Sequence, residues 1–220
     1  MKFRTLTAAV FAGAIMTSAA PSVQAADYSM NDSGFWSWYF EIAAGGAIPY
    51  GHDVTVNGTP GEYEPDSGFG LAGAIGAYFQ NNVRGEVAVS WFRGNDGVAL
   101  GFPHTGGLNV IDVLANVYYE FPEWGGSQFT PWVGAGLGFV VFDYDNLGAG
   151  FFFNDSDVAI AGALHAGFDY AISDRVDLTG RYTLAIHGSH DVTSGANTAS
   201  ADSSVEHAFM GGIRVKMGGR

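Results

Sequence analysis

The stretch "TPWVGAGLGFVVF", residues 130–142, has glycine at every second position of its middle, at Gly134, Gly136 and Gly138. The residues between these glycines are all apolar. A helix is a poor solution, because three interior glycines cost roughly 3 kcal/mol relative to alanine and Pro131 adds a break. In a strand, side chains alternate between two faces, so the glycines share one face and the apolar side chains the other. The segment is therefore predicted to be a β-strand.

The same alternation recurs along the chain. Seven further segments of about ten residues or more show it: 36–48, 68–79, 83–92, 108–121, 157–170, 175–187 and 205–217. None of the eight segments has a helical period, and turn residues separate them. The pattern predicts an all-β protein with eight antiparallel strands.

The connections between these segments alternate in length. Those after the second, fourth and sixth segments are short, namely "QNN", "PEWGGSQ" and "AISD". The others are longer and rich in acidic residues: 49–67, 93–107, 143–156 and 188–204. Short turns at one end and long loops at the other are typical of an up-and-down transmembrane β-barrel. We therefore expect the long loops outside the cell and the short turns in the periplasm.

The first 25 residues have the features of a cleavable secretory signal peptide. Lys2 and Arg4 precede an apolar stretch, and Val23 and Ala25 occupy the −3 and −1 positions of a cleavage site. The alternative is an uncleaved anchor helix. We expect a signal peptide at 1–25, a periplasmic N-terminal leader at 26–35 and the barrel at 36–220, in the cell outer membrane.

Charge and cysteine content narrow the function classes. The signal peptide holds two of the nine basic residues and none of the 22 acidic ones, so the mature chain has a formal charge of −15. Such an acidic excess argues against a nucleic-acid partner, because phosphates require basic patches. The chain has no cysteine. An exported protein without disulfides must be stabilised by packing or by a membrane.

The charged residues of the strands identify the inner face. A charge on the lipid face costs about 2–4 kcal/mol near the bilayer midplane, so the charged sets must point inward and the apolar sets must face lipid. We predict an interior filled by paired charges, contributed by Glu41, Arg84, Glu86, Asp112, Arg181 and Arg214. An eight-stranded barrel is just wide enough for side chains to fill it. Gly134, Gly136 and Gly138 are expected to leave space for Arg181 or Arg214.

The chain resembles the small eight-stranded outer-membrane barrels of Gram-negative bacteria, of the OmpA/OmpX type and the opacity-like surface antigens. The resemblance rests on "TPWVGAGLGFVVF", on "AGFDYAISDRVDLTGRYTLA" and on "VEHAFMGGIRVKM". It implies contact with outer-membrane lipid and lipopolysaccharide, and insertion by the barrel-insertion machinery. Such proteins usually end on an aromatic residue, whereas this chain continues past Met217 with "GGR".

One motif indicates an enzyme. "IHGSHD", residues 186–191, places His187 and Ser189 at the H-x-S spacing of an outer-membrane lipid A deacylase, which the chain resembles at these two positions. A serine nucleophile needs a base within hydrogen-bond reach and an acid that orients the base. We expect His187 and Ser189 to share one strand face and Glu206 to lie on the inward set. The alternative is that both are polar residues where a strand enters a loop.

The acidic loops could hold calcium, because hard cations prefer oxygen ligands. The candidates are Asp143, Asp145 and Asp155, although their spacing has no defined loop signature and acidic loops are commonly just solvated. His165 is expected on the inner face of its strand as a satisfied polar residue. We expect no cofactor.

We interpret the chain as a non-enzymatic outer-membrane barrel with a plugged polar interior and acidic loops that can contact an extracellular ligand. One alternative is a narrow pore for small solutes, and the other is the deacylase. A soluble barrel that binds lipid inside would need the apolar sets to point inward.

Overall fold

The computed structural model describes residues 38–79, 81–94, 97–121, 128–148 and 153–217. The predicted signal peptide (1–25), the leader (26–35) and the final "GGR" lie outside the described residues. The described residues form thirteen strands: β1 (Trp38–Pro49), β2 (His52–Val56), β3 (Thr59–Pro65), β4 (Gly68–Tyr78), β5 (Val83–Gly94), β6 (Gly97–Ala99), β7 (Phe102–Glu120), β8 (Phe129–Gly148), β9 (Ser156–Ala171), β10 (Val176–His187), β11 (His190–Ser194), β12 (Asn197–Ala201) and β13 (Ser204–Lys216). No helix among these residues is long and apolar enough to cross a membrane.

Eight of these strands close into an antiparallel barrel. The order around the barrel is β1, β4, β5, β7, β8, β9, β10 and β13, and β13 pairs with β1 to complete it. Each barrel strand corresponds to one of the eight predicted segments, so the predicted all-β eight-stranded barrel is confirmed. Strands β7 and β8 are the longest, with 19 and 20 residues, and both extend beyond the predicted segments at the long-loop end.

The two faces of the barrel are sorted as the alternation predicts. Leu137 is 75% exposed on the outside, whereas Arg84 and Arg214 are 0% exposed inside. Glu86 and Arg181 are also buried in the interior. Because the apolar side chains face outward and the charged ones inward, the alternative of a soluble lipid-binding barrel is wrong.

The long connections differ from the expectation that they are loops. Strands β2, β3, β6, β11 and β12, with the first residues of β7, form a second antiparallel sheet, which we call the rim sheet. The β2–β3 hairpin turns at Asn57 and Gly58, whose φ angles are 50° and 79°. Two successive residues with positive φ define a two-residue hairpin turn for which Asn-Gly is the preferred sequence.

The free edge of β11 is held by two side chains, one at the start of β9 and one just before it. The Asp157 carboxylate accepts a hydrogen bond from the backbone N–H of Asp191 (2.8 Å), and the Asp155 carboxylate accepts one from the N–H of Thr193 (2.9 Å). Phe153 is buried and belongs to one apolar cluster with Tyr63 and other rim residues. The rim sheet therefore continues the barrel wall, and its apolar side chains form one cluster with apolar side chains inside the barrel, such as Leu114 and Met210.

Candidate functional site: the barrel interior

The glycine face that dominates residues 130–142 points inward and lies against side chains of the neighbouring strand. A Cβ atom at Gly134 would overlap the ring of Tyr118, and one at Gly136 would overlap Asn116 Oδ1. Each glycine is the direct cross-strand partner of the residue that occupies its space. The expected glycine gap exists, but Tyr118 and Asn116 fill it rather than Arg181 or Arg214.

Glu86 is the centre of the interior hydrogen-bond network. Its carboxylate accepts hydrogen bonds from the hydroxyls of Tyr39 and Tyr118, both at 2.7 Å. It also accepts hydrogen bonds from Arg181 (3.2 Å) and Arg84 (3.3 Å). All of these groups are buried. A carboxylate that accepts several hydrogen bonds from buried cations and hydroxyls is held in one position.

Glu41 joins the third arginine, Arg214, to the same layer, since it binds both Arg214 and Arg181. One of its oxygens accepts a 2.6 Å hydrogen bond from Arg181, and the other accepts hydrogen bonds from Nε and Nη2 of Arg214 (3.0 and 2.7 Å). Arg214 also forms an ion pair with Asp169, whose other oxygen accepts a hydrogen bond from the Trp132 indole N–H (3.1 Å). We call Glu41, Arg84, Glu86, Asp169, Arg181 and Arg214 the ion-pair layer.

Aromatic rings surround the arginines of this layer. The Arg84 guanidinium carbon lies 4.0 Å from the ring centre of Tyr118 and 4.9 Å from that of Trp132. The Arg214 guanidinium lies 4.8 Å from the ring centre of Tyr39. Cation–π contacts of desolvated guanidinium groups are favourable. Tyr39, Trp132 and Asp169 were not identified from the sequence as members of this network.

Asp112 does not belong to the ion-pair layer, unlike the other five predicted residues. It lies nearer the long-loop end, where its carboxylate is 3.0 Å from Nε2 of His187 and accepts a hydrogen bond from the Ser90 hydroxyl (3.4 Å). His165, in the layer between, is buried and is hydrogen-bonded to Thr183 and Asn116 (3.0 and 3.2 Å). His165 is thus a satisfied polar residue of the interior.

The candidate catalytic pair is not assembled. His187 is 2% exposed and points into the barrel beside the inward-facing Glu206, whereas Ser189 is exposed outside it. The expectation that His187 and Ser189 share one face is wrong, because the regular strand β10 ends at His187 and the alternation does not continue to Ser189. His187 and Ser189 therefore do not form the arrangement that a nucleophile and base require.

The three candidate calcium ligands each have a different partner. Asp143 accepts a 3.4 Å hydrogen bond from Asn109, Asp145 forms a partly exposed ion pair with Arg93 (3.6 Å), and Asp155 binds backbone and hydroxyl of Thr193. Within the described part of the chain, no group of three or more His, Cys, Asp or Glu side chains is suited to a metal ion.

Two histidines occupy the rim. His190 stacks on Phe142 with a ring separation of 3.8 Å, and its Nε2 is 2.6 Å from the Tyr144 hydroxyl. Burial lowers the pKa of His190 to about 4, because desolvation penalises the charged ring. Burial also lowers the pKa of His52 below its ordinary value. Both rings are therefore neutral at pH 7, and one hydrogen bond joins the Tyr144 hydroxyl to His190 Nε2.

A closed barrel with an apolar outer surface and a buried ionic interior defines the class of transmembrane barrel proteins. The family model of the outer membrane protein beta-barrel domain matches residues 7–209. The chain belongs to this family, and it is located in the outer membrane. No curated protein matches the sequence.

Solved structures of outer-membrane barrels share the fold. Neisserial surface protein A is 19% identical with a TM-score of 0.54, and the match covers 81% of this chain and 96% of that one. OprG from Pseudomonas aeruginosa is 17% identical with a TM-score of 0.57, covering 84% and 98%. The outer membrane protein AlkL is 14% identical with a TM-score of 0.58, covering 88% and 96%. At these identities the similarity concerns the fold alone.

Proposed function

We propose that this chain is a non-enzymatic outer-membrane barrel with a plugged interior, and that its role is structural and surface-interactive. The observation that carries the proposal is the ion-pair layer, in which Glu41 and Glu86 bridge Arg84, Arg181 and Arg214 across the lumen. These side chains are almost completely buried. A lumen filled by mutually bonded side chains has no continuous path for water.

The rim supports the surface-interactive part of the proposal. Its exposed side chains include many carboxylates, on Asp53, Glu62, Glu64, Asp66, Asp145, Asp191 and Asp202. The rim sheet projects this acidic surface from the long-loop end on a hydrogen-bonded support. An extracellular partner of this surface would carry positive charge. The outer apolar face would contact outer-membrane lipid and lipopolysaccharide, and the barrel-insertion machinery would place it there.

Conductance in planar bilayers distinguishes the plugged barrel from the narrow pore. We expect the wild-type protein to give no stable conductance steps. The double variant Glu86→Ala/Arg181→Ala removes one buried pair without leaving either charge alone, and we expect it to give measurable currents. The matched control, Arg93→Ala/Asp145→Ala, removes a partly exposed rim pair and should behave like wild type. Stable steps from the wild-type protein would overturn the plugged barrel in favour of the pore.

The deacylase alternative is tested by incubating purified protein with lipopolysaccharide and measuring released acyl chains. We expect no release, because Ser189 is exposed outside the barrel while His187 is buried and engaged with Asp112. Release that disappears in the His187→Ala variant would contradict the non-enzymatic proposal.

A further inference from the structure

Two cavities occupy the interior between the ion-pair layer and the rim. The upper cavity has a volume of about 50 Å³, and its lining includes Tyr50, His52, Phe92, Phe142 and Glu206. The lower cavity, of about 30 Å³, is lined by residues that include Asp112 and Arg181. Phe92 and Glu206 line both. Tyr50 is 58% exposed, so the upper cavity reaches the protein surface.

Glu206 is a buried carboxyl without a hydrogen-bond donor in the described structure. Glu206 is 6% exposed, and its Oε1 has no hydrogen-bond partner among the described residues. Two nearby donor atoms are engaged elsewhere, because His187 Nε2 faces Asp112 and Arg181 Nη2 binds Glu41 and Glu86. A buried polar group without a partner is costly, so such a group in a native structure points to a missing partner.

His52 presents a second acceptor to the same cavity. Its Nδ1 lies 3.5 Å from the backbone carbonyl oxygen of Tyr50, which can only accept a hydrogen. Nδ1 therefore carries the ring hydrogen, and Nε2 has a free lone pair. Nε2 is buried and has no hydrogen-bond partner. The upper cavity thus contains two acceptors, His52 Nε2 and Glu206 Oε1, for which the described residues supply no donor.

The charges and the remaining lining define the complementary ligand. Besides tyrosines, the titratable side chains that line the upper cavity are the carboxyl groups of Asp66 and Glu206 and the imidazoles of His52 and His187, and the lining includes no arginine or lysine. Much of the remaining lining is apolar or aromatic, including Tyr63, Phe92 and Phe142. Aromatic faces attract cations and also cover apolar groups. Sites for small molecules have a similar lining, an apolar wall with a few polar atoms, but this cavity is smaller than the sites of drug-sized ligands.

We propose that the upper cavity binds a small organic cation that has a primary ammonium group and a short apolar body. The ammonium group donates hydrogen bonds to Glu206 Oε1 and His52 Nε2. The apolar body lies against Phe92 and Phe142. This site is independent of whether the barrel conducts, since it lies on the long-loop side of the ion-pair layer.

The test uses butylammonium as the probe and 1-butanol as its neutral counterpart, with the full barrel in nanodiscs. Backbone amide shifts in NMR spectra report binding at Tyr50, Phe92 and Glu206. We expect saturable shifts with butylammonium and at least tenfold weaker binding of 1-butanol. The Glu206→Gln variant keeps the side-chain size and should weaken butylammonium binding by at least tenfold. Glu64→Gln, which removes an exposed rim carboxylate, should bind like wild type.

Three outcomes would overturn the proposal: no saturable shift, equal binding of the alcohol and the ammonium ion, or unchanged binding by Glu206→Gln. Heat-modifiable gel mobility verifies that each variant is folded. If Glu206→Gln does not fold, His52→Phe removes the other acceptor while it retains an aromatic ring. Weaker butylammonium binding by His52→Phe would then support the site, and unchanged binding would contradict it.

Discussion

At the residue scale, the interior is built from pairs of a glycine and a large side chain on neighbouring strands. Gly134 lies opposite Tyr118, Gly136 opposite Asn116, and a Cβ at Gly76 would overlap its cross-strand partner Tyr39. At these positions the large side chain lies over the glycine opposite, in space that a side chain at the glycine would fill. The glycines therefore determine where Tyr39 and Tyr118 can reach Glu86.

We expect Gly134→Ala to lower the free energy of unfolding by about 1–3 kcal/mol, because the new methyl group overlaps the Tyr118 ring and the Val117 carbonyl. Urea unfolding in lipid vesicles measures the change. Gly162→Ala is the matched control, since its Cβ would meet Leu137 at an ordinary 3.6 Å. If Gly162→Ala lowered the free energy of unfolding as much as Gly134→Ala does, the cross-strand contact at Gly134 would not be the cause of the effect.

The sequence predicts part of this interior. Alternation places Glu41, Glu86, Arg181 and Arg214 on the inner face, because a charge on the lipid face is costly. It does not predict which acid meets which arginine, since that depends on the stagger between strands, which turn geometry and packing determine. Asp112 illustrates the difference: it is on the inner face as predicted, but its register places it beside His187.

At the element scale, the rim strands carry weaker signals than the barrel strands. Strand β12, "NTASA", consists of small and polar residues that are typical of a loop. Strand β2 has only five residues, so its alternation of apolar and polar side chains is too short to stand out. The Asn57-Gly58 turn between alternating residues is a hairpin signal that the sequence does contain. The rim strands have little apolar surface. They form because the rim sheet is continuous with barrel strand β7 and because the Asp155 and Asp157 side chains accept hydrogen bonds from the edge of β11.

The edge of β11 provides a test of that support. Asp157→Ala removes the acceptor of the Asp191 N–H, so we expect the hydrogen-exchange protection of this amide to fall roughly fivefold to tenfold, the equivalent of a hydrogen bond of about 1 kcal/mol. Amides of β10 should keep their protection. Asp202→Ala, which removes another exposed rim carboxylate, is the control. Unchanged protection at Asp191 in Asp157→Ala would show that the carboxylate does not hold the edge.

His190 makes the rim sensitive to acid. Its pKa is about 4 in the folded protein against an ordinary value of 6.5, so between these values the unfolded rim binds more protons than the folded rim. The contribution of the neutral His190 ring to the stability of the rim is therefore fully present above about pH 6.5, and it is lost as the pH decreases toward 4. NMR titration of the ring should give a midpoint near pH 4. His190→Phe should reduce the loss of rim amide protection over this range, and a midpoint near 6.5 would contradict the burial.

At the scale of the whole molecule, the protein has the apolar residues outside and the ionic ones inside. This arrangement was predictable from the sequence, because strand alternation and the cost of a charge in lipid both act on every strand. The rim core was not predictable, since it forms between segments that are far apart in the chain, such as Val56 and Ala199.

We expect Leu137→Arg to lower the free energy of unfolding in vesicles by about 2–4 kcal/mol, because this outward side chain lies near the middle of its strand and would place a charge in the hydrocarbon. Heat-modifiable mobility measures the folded fraction, and urea titration measures the stability. Leu137→Met keeps an apolar side chain and should change little. A variant Leu137→Arg as stable as wild type would contradict the assignment of this face to lipid.

The contact between Glu41 and Arg214 joins residues 173 positions apart, on the first and last strands of the cylinder. Until those two ends meet, the sheet has open edges and its ionic side chains remain hydrated. Closure of the ring and expulsion of water from the lumen are consequently one event rather than two. An assembly intermediate that has every strand except the last lacks Arg214, the arginine with which Asp169 forms its ion pair, so this carboxylate remains hydrated until the last strand is in place.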